Sequence, residues 1–554
     1  MNPDKRAWLL FFLAAIAFYL YGIGSLPLVG PDEPRYAQVA REMLLRGDMV
    51  TPTLGGHTWF EKPALLYWMV AGAFAIFGVS EWAARLGPAC AGLLSIFAVY
   101  CMGRRVERAI EYGRAIQENE ATKRDELGAL GLWSSVALAS SAGLMIFSRA
   151  VSFDVIVTMT TTVALCCFFV SELERDEKIR RWLLVGFYAF VGASLLAKGL
   201  IGVVIPFGVI GAYYLLQRRW PERQLLKSLL WGLPLAFVVA SLWYGPVIQR
   251  NGWTFIDEFF IQHHFARYVS NKYRHPGPFY YYLPTILILA LPWSSFLVSA
   301  IVKARGWNWR GVDALGRFRL FALAWLFVPL VFFSVSGSKL PGYILPALPA
   351  AALLIGERLS RIVRDEGKVL LIRLTGLLLI LLACGGIFYA RRTVYTSMAC
   401  AALVLAPLFI AGVFSLVAAS LRRLCLMMTA FAMFLSVALA VICLGPSITR
   451  RESTRELLQR AAARGYQSTP VWGFYVIERT SEFYANERVA RDETGEVIRL
   501  EGAVPVLEAA RRSGGTILVF VPLDGLRQLT DYPAINVEII GDNGTVALVV
   551  VKEK

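Results

Sequence analysis

Trp8-Leu-Leu-Phe-Phe-Leu-Ala-Ala-Ile-Ala-Phe-Tyr-Leu-Tyr21 carries no charged side chain, and Lys5 and Arg6 stand just before it. A basic residue pair followed by an apolar run is the opening of a secretion signal. No cleavage site of the A-x-A type follows, however. The chain runs instead through Leu26-Pro27-Leu28 into a polar motif, Gly30-Pro31-Asp32-Glu33-Pro34-Arg35-Tyr36. The stretch therefore reads as an uncleaved first membrane helix whose N-terminus stays in the cytoplasm.

Runs of the same kind recur along the chain. A membrane-crossing helix takes about 20 mostly apolar residues. Stretches that fit lie at 8–26, 83–103, 127–147, 152–171, 182–197, 199–217, 228–248, 281–302, 319–336, 343–357, 371–390, 398–419 and 425–445. The sequence thus predicts a polytopic α-helical membrane protein with thirteen or so transmembrane helices in residues 1–445, with long outer loops at 27–82 and 249–280. Composition agrees. Of 554 residues, 57% are hydrophobic and 17% charged, where a soluble domain has roughly half and a quarter. An ordinary soluble enzyme and a disordered chain are both excluded.

The net charge of +16 has two possible meanings, nucleic acid or topology, and the loops decide between them. With the N-terminus inside, the cytoplasmic loops and helix ends hold roughly 28 Lys and Arg, against roughly 14 in the outer set, as the positive-inside rule requires. Nucleic acid is not needed as a partner. Residues 446–554 then face outward, and they are a different material, with 14 basic and 15 acidic side chains. Strand-like runs at 471–477 and 516–521, a helix at 506–512 and a hairpin at 536–551 around Asp542-Asn543-Gly544 predict a small soluble α/β domain.

Chemistry concentrates on the outer side. Asp32, Glu33, Arg35 and Tyr36 directly follow a membrane exit, and the same loop continues through Trp59-Phe60-Glu61-Lys62-Pro63. The neighbouring stretches 37–45 and 65–77 are amphipathic or apolar, so the loop is expected along the interface, where polar groups are costly unless they have a task. Arg149 and Asp154 flank a short outer turn, Gln262-His263-His264-Phe265-Ala266-Arg267-Tyr268 lies in the second long loop, and Ser338-Lys339-Leu340-Pro341-Gly342-Tyr343 caps a late helix pair. Lys62, Arg149, Arg267, Lys339 and several tyrosines thereby share one membrane face, a set suited to a phosphate-headed lipid. The alternative is scattered cations meeting lipid headgroups. Glu61, His263 and His264 offer the donors of a divalent ion such as zinc, or they are solvated surface groups. No C-x-x-C occurs.

Asp32-Glu33-Pro34-Arg35-Tyr36, Phe60-Glu61-Lys62-Pro63, Asp154, Arg85-Leu86-Gly87-Pro88 and the 338–343 turn, taken with the helix pattern and the outward C-terminal domain, resemble the protein O-mannosyltransferase-like glycosyltransferases of the GT-C fold. Within that group the chain is similar to the transferases that move 4-amino-4-deoxy-L-arabinose onto lipid A. The resemblance implies a donor in which the sugar is carried on undecaprenyl phosphate, a lipid A phosphate as acceptor, a site on the periplasmic side of a bacterial inner membrane, and resistance to polymyxin-type cationic peptides. It also implies inverting displacement at the anomeric carbon. Lys62 and Arg267, helped by Tyr343 and Lys339, would meet the leaving phosphate. Asp32 would orient the acceptor, stabilise the oxocarbenium-like centre or hold the donor's ammonium, and Asp154 is the second acid. Glu33, Arg35, Tyr36 and Arg149 would contact substrate. Relatives moving other sugars, or using a protein acceptor, share these motifs. A transporter of lipid-linked sugars is the reading from another class, set against the outer-loop position of the polar residues and the lack of an internal repeat.

Overall fold

The computed structural model describes residues 3–117, 129–266, 277–307, 309, 313–364, 369–392, 397–493 and 495–554. Its first ten α-helices, in chain order, are α1 (Pro3–Leu20), α2 (Asp32–Arg46), α3 (Leu65–Phe77), α4 (Glu81–Gln117), α5 (Leu130–Ala139), α6 (Ala142–Ser148), α7 (Phe153–Leu173), α8 (Glu177–Lys198), α9 (Ile201–Gln217) and α10 (Arg223–Phe255). Among the described residues, nine helices are long and apolar enough to cross a membrane, and α5 with α6, bent by 59°, passes as a tenth. The other three expected spans take shorter forms. Residues 8–26 hold the apolar helix Trp8–Leu20 and 199–217 hold α9. Residues 281–302 are broken into Tyr282–Leu289 and Ser294–Lys303. Pro292 lies in that break and has no N–H to continue a helical ladder.

Two compact units emerge. One comprises Met1–Tyr21, Phe60–Leu66 and Arg85–Ala440, and the other Gly22–Trp59, Tyr67–Ala84 and Val441–Lys554. The first is the helical membrane part. Its α7 and α8 are joined by the short link 174–176, so they run antiparallel. Ser152 caps α7 by accepting a hydrogen bond from the Asp154 N–H at 3.1 Å, and Asp176 caps α8 by accepting from Lys178 and Ile179. Gly199, at φ 68°, stops α8. The hairpin thus returns the chain at Lys198 to the end where it left at Asp154. At the opposite helix ends three buried carboxylates are each neutralised: Glu107 by Arg104 at 2.6 Å, Glu172 by Arg219, and Glu357 by Arg361 at 2.9 Å. Charges at such depth persist only when paired.

The second unit is built on a five-stranded sheet in the order β4-β3-β5-β7-β6. The strands are β3 (Val471–Phe474), β4 (Arg499–Leu500), β5 (Thr516–Pro522), β6 (Ile535–Asp542) and β7 (Val546–Glu553), while β1 (Thr53–Leu54) and β2 (His57–Thr58) form a separate hairpin. Pairing is parallel on both sides of β3 and antiparallel around β7. Side chains alternate along β5. Ile517, Val519 and Val521 pack with Val506 and Ala510 of helix Ala503–Arg512, and Leu518 and Phe520 pack with Leu457 and Ala461 of helix Arg455–Ala463. The sheet is therefore covered on both faces. The expected hairpin forms, with Asp542 paired to Ala547 and the Asn543 N–H donating to the Val546 carbonyl at 3.1 Å.

The sequence places a boundary at 445, but the second unit also takes in most of the first outer loop. Arg41 of α2 donates to the Phe483 carbonyl at 3.0 Å and lies 4.6 Å from that ring's centre. Burial, with Arg491 nearby, pulls its guanidinium down to about 10. The Leu28 N–H donates to the Tyr484 hydroxyl at 2.7 Å, which in turn donates to Glu81 at 2.9 Å. Residues 446–554 thus form the platform on which α2, and with it the Asp32 motif, is packed.

Candidate active site

The site of the membrane unit is assembled at helix ends. Asp154 lies in the first turn of α7 and Lys198 is the last residue of α8, each charge opposing the partial charge of its own helix terminus. They form an ion pair in which the two side chains keep only 18% and 10% of their exposure. A third element reaches the same point. After helix Ala314–Val335 the chain turns through Ser336–Leu340 into a short 3₁₀ segment, Pro341–Ala347. At Gly342 a Cβ would run into the Asp154 carboxylate, so only glycine permits this approach. The next residue, Tyr343, offers its ring 4.5 Å from the Lys198 ammonium. The fourth element is the Glu61–Lys62 pair, 3.1 Å apart and largely enclosed.

Lys198, Tyr343 and the Glu61–Lys62 pair line a cavity of about 260 Å³. Glu61, Lys62, Lys198, His263, Ser338 and Tyr343 supply its polar lining, and Leu200, Ile201, Val204, Phe332 and Phe333 its apolar wall. Ser338 is 1% exposed, and its hydroxyl has no hydrogen-bond partner among the described residues. A buried hydroxyl left without a partner costs about 1–3 kcal/mol, and Ser338 stands in the wall of this cavity. Two ammonium groups, a phenol and a free hydroxyl beside an apolar wall are complementary to an anionic headgroup with a hydrocarbon tail.

The other expected residues fall into distinct situations. Arg149 donates to the backbone carbonyls of Phe18 and of Tyr21, the latter at 3.2 Å, and lies 4.9 Å over the Phe18 ring. It pins the end of α1. Lys339 is buried and gives its ammonium to the Ser336 carbonyl at 2.6 Å. Arg267 lies outside the described residues, as does the His264 side chain. In the second unit Arg35 is ion-paired to Asp32 and sits between the Tyr36 and Trp59 rings, 5.3 and 5.5 Å from their centres. Tyr36 is buried, with its ring 6.3 Å from that of Tyr67. Glu33 accepts from the Val29 N–H at 3.1 Å and is buried, so it ties the start of α2 to the preceding loop. Asp32 keeps 57% of its side chain exposed and remains accessible to a ligand. Lys198 and Ser338 are the functional candidates that sequence reasoning missed. The near-equal lengths of α7 and α8, 21 and 22 residues, place Lys198 opposite Asp154, and that spacing is the available signal.

For a divalent ion, Glu61 and His263 line one cavity and are both donors that zinc accepts. Among the described residues, no group of three His, Cys, Asp or Glu side chains comes together that could hold one. An ion held here would take its remaining ligands from water or from substrate oxygens.

Architecture and site together define a class: a polytopic membrane protein of the GT-C type, with a cavity lined by cations and apolar side chains at the ends of its helices. Two family profiles, each described as dolichyl-phosphate-mannose-protein mannosyltransferase, match residues 61–110 and 125–253. Over 98% of this chain the fold follows a crystal structure of ArnT from Cupriavidus metallidurans bound to undecaprenyl phosphate, at a TM-score of 0.78 and 24% identity, covering 97% of that chain. The undecaprenyl phosphate-α-4-amino-4-deoxy-L-arabinose arabinosyl transferase of Pseudomonas aeruginosa (strain UCBPP-PA14) is 34% identical over 399 residues, 71% of this chain and 67% of that protein. The protein of the same name from Edwardsiella ictaluri (strain 93-146) is 33% identical over 413 residues, 72% of this chain and 66% of that protein. The chain belongs to this arabinosyl transferase family.

Proposed function

We propose that the protein transfers 4-amino-4-deoxy-L-arabinose from undecaprenyl phosphate to a phosphate of lipid A, at the periplasmic face of a bacterial inner membrane. The observation that carries this reading is the cavity itself, where Lys62, Lys198, Ser338 and Tyr343 stand beside an apolar wall. The face follows from charge. The cavity lies at the helix ends away from the arginine-rich links 173–181 and 217–227, and such links stay in the cytoplasm.

In the reaction the bond from the anomeric carbon to the polyprenyl phosphate oxygen breaks, and a bond to a lipid A phosphate oxygen forms on the opposite face of the sugar. The electron pair leaves on the polyprenyl phosphate. Lys62 and Lys198 stabilise that growing charge, Asp154 holds the Lys198 ammonium in place, and Ser338 and Tyr343 donate to the phosphate oxygens. The acceptor phosphate is ionised at neutral pH, so no proton has to be removed. Asp32 orients the acceptor or holds the donor's ammonium, and Arg35 fixes its carboxylate. Glu61 and His263 would hold a divalent ion, which when bound adds further positive charge near the phosphate.

The test is mass spectrometry of lipid A after incubation of purified, detergent-solubilised protein with the lipid-linked sugar. Transfer gives lipid A carrying one added aminoarabinose. Unchanged lipid A under conditions where the protein remains folded would refute the reading. A transporter gives no product in the absence of a sealed membrane.

A further inference from the structure

We infer that a second lipid site opens at the opposite end of these helices, and that it takes an anionic phospholipid of the membrane. Lys198 and Ile201 line the first cavity, and they are the last residue of α8 and the first of α9. Towards the far ends of these two helices a cleft of about 630 Å³ lies between α8, α9 and the start of α10. Phe187, Phe207, Ile210, Leu226 and Leu229 make its walls apolar, and Arg218-Arg219-Trp220-Pro221 form its mouth. Neither Asp nor Glu is among its lining residues.

Three properties select the occupant. The first is surroundings. Leu215 and Leu230 beside the cleft are 78% and 81% exposed, so it opens towards lipid and an acyl chain is what can fill it. The second is depth. From Phe207 to Arg218 α9 rises about 16 Å at ~1.5 Å per residue, close to the hydrocarbon half-thickness of a bilayer at ~15 Å. The third is charge. Arg219 is committed to Glu172, whereas Arg218, turned out of the helix at φ 52°, is exposed and pairs with no carboxylate among the described residues. Trp220, at 90% exposure, is placed as an interfacial indole. A basic, aromatic-rimmed pocket between membrane helices suits a phosphate headgroup of net negative charge. This inference is independent of the transfer reaction.

The test uses the full chain, delipidated in detergent and incubated with phosphatidylglycerol or phosphatidylethanolamine of identical chains, with retained lipid counted by native mass spectrometry. We expect one phosphatidylglycerol to survive gentle activation and phosphatidylethanolamine to be lost. Arg218→Ala lowers phosphatidylglycerol retention roughly fivefold, the effect of one basic residue at an anionic surface. Gly211→Leu plugs the cleft. Gly211 lines it, and a Cβ there meets no atom within 4 Å, while leucine favours the helix, so this variant folds and loses the bound lipid. Wild-type retention by Gly211→Leu, or equal retention of the two lipids, overturns the proposal. So does retention of undecaprenyl phosphate that Gly211→Leu abolishes, because the cleft would then belong to the donor lipid.

Discussion

Two acid–base pairs, one in each compact unit, are built in opposite ways. Asp32 and Arg35 are three residues apart on one helical turn, and Asp32 keeps 57% of its side chain exposed. Asp154 and Lys198 are 44 residues apart, meet only because a helical hairpin returns the chain, and retain 18% and 10%. An exposed pair contributes about 0–1 kcal/mol, so Asp32 can give up its partner to a ligand at little cost. The enclosed pair cannot, since removing one member of a buried pair costs about 3–5 kcal/mol. The local pair is accessible chemistry, and the assembled pair is a strut that also aims a cation.

Variants can separate these roles. Within these two pairs Asp32→Asn is expected to have the largest effect on activity, lowering transfer by roughly 100- to 1,000-fold, the scale of one preorganised electrostatic contact, with the melting temperature unchanged. A parallel fall in melting temperature would place Asp32 among the struts. Lys198→Ala lowers both activity and stability, the latter by about 3 kcal/mol. The double variant Asp154→Asn with Lys198→Gln regains part of the stability and none of the activity. Additive losses in this cycle would show that the two groups are not coupled. Gly342→Ala costs about 1–3 kcal/mol, the usual penalty for overpacking, and reduces transfer by moving Asp154. Wild-type stability and rate would contradict the close approach. Ser338→Ala has the smallest effect, raising the KM for the lipid donor up to about tenfold, the worth of one hydrogen bond, with no loss of stability because the hydroxyl has no partner to lose. An unchanged KM removes Ser338 from the phosphate site.

The same contrast explains what could be read in advance. Membrane spans follow from apolar runs, and each expected span meets a helix or a broken helix. Four of the five strands of the C-terminal sheet follow from short apolar, β-branched runs, whereas the two-residue β4 (Arg499–Leu500) carries no such run. Glu61-Lys62 and Asp32-Arg35 are neighbours in sequence, so their juxtaposition was legible. Lys198 looks locally like any charge at a short turn, because its meaning depends on Asp154 across the hairpin. Arg149 and Lys339 looked like free cations and instead hold backbone carbonyls, partners that every residue carries and no pattern reveals. The packing of α2 on helix Arg479–Ala485 through Arg41 depends on contacts more than 400 residues apart, beyond any local signal.

We propose that cations of the cavity carry the charge leaving on the polyprenyl phosphate. Lys62→Ala tests it most directly, through kcat for transfer by purified protein at saturating lipid A and lipid-linked sugar. The prediction is a fall of roughly 100- to 1,000-fold in kcat with wild-type melting temperature. A kcat within twofold of wild type would contradict the account.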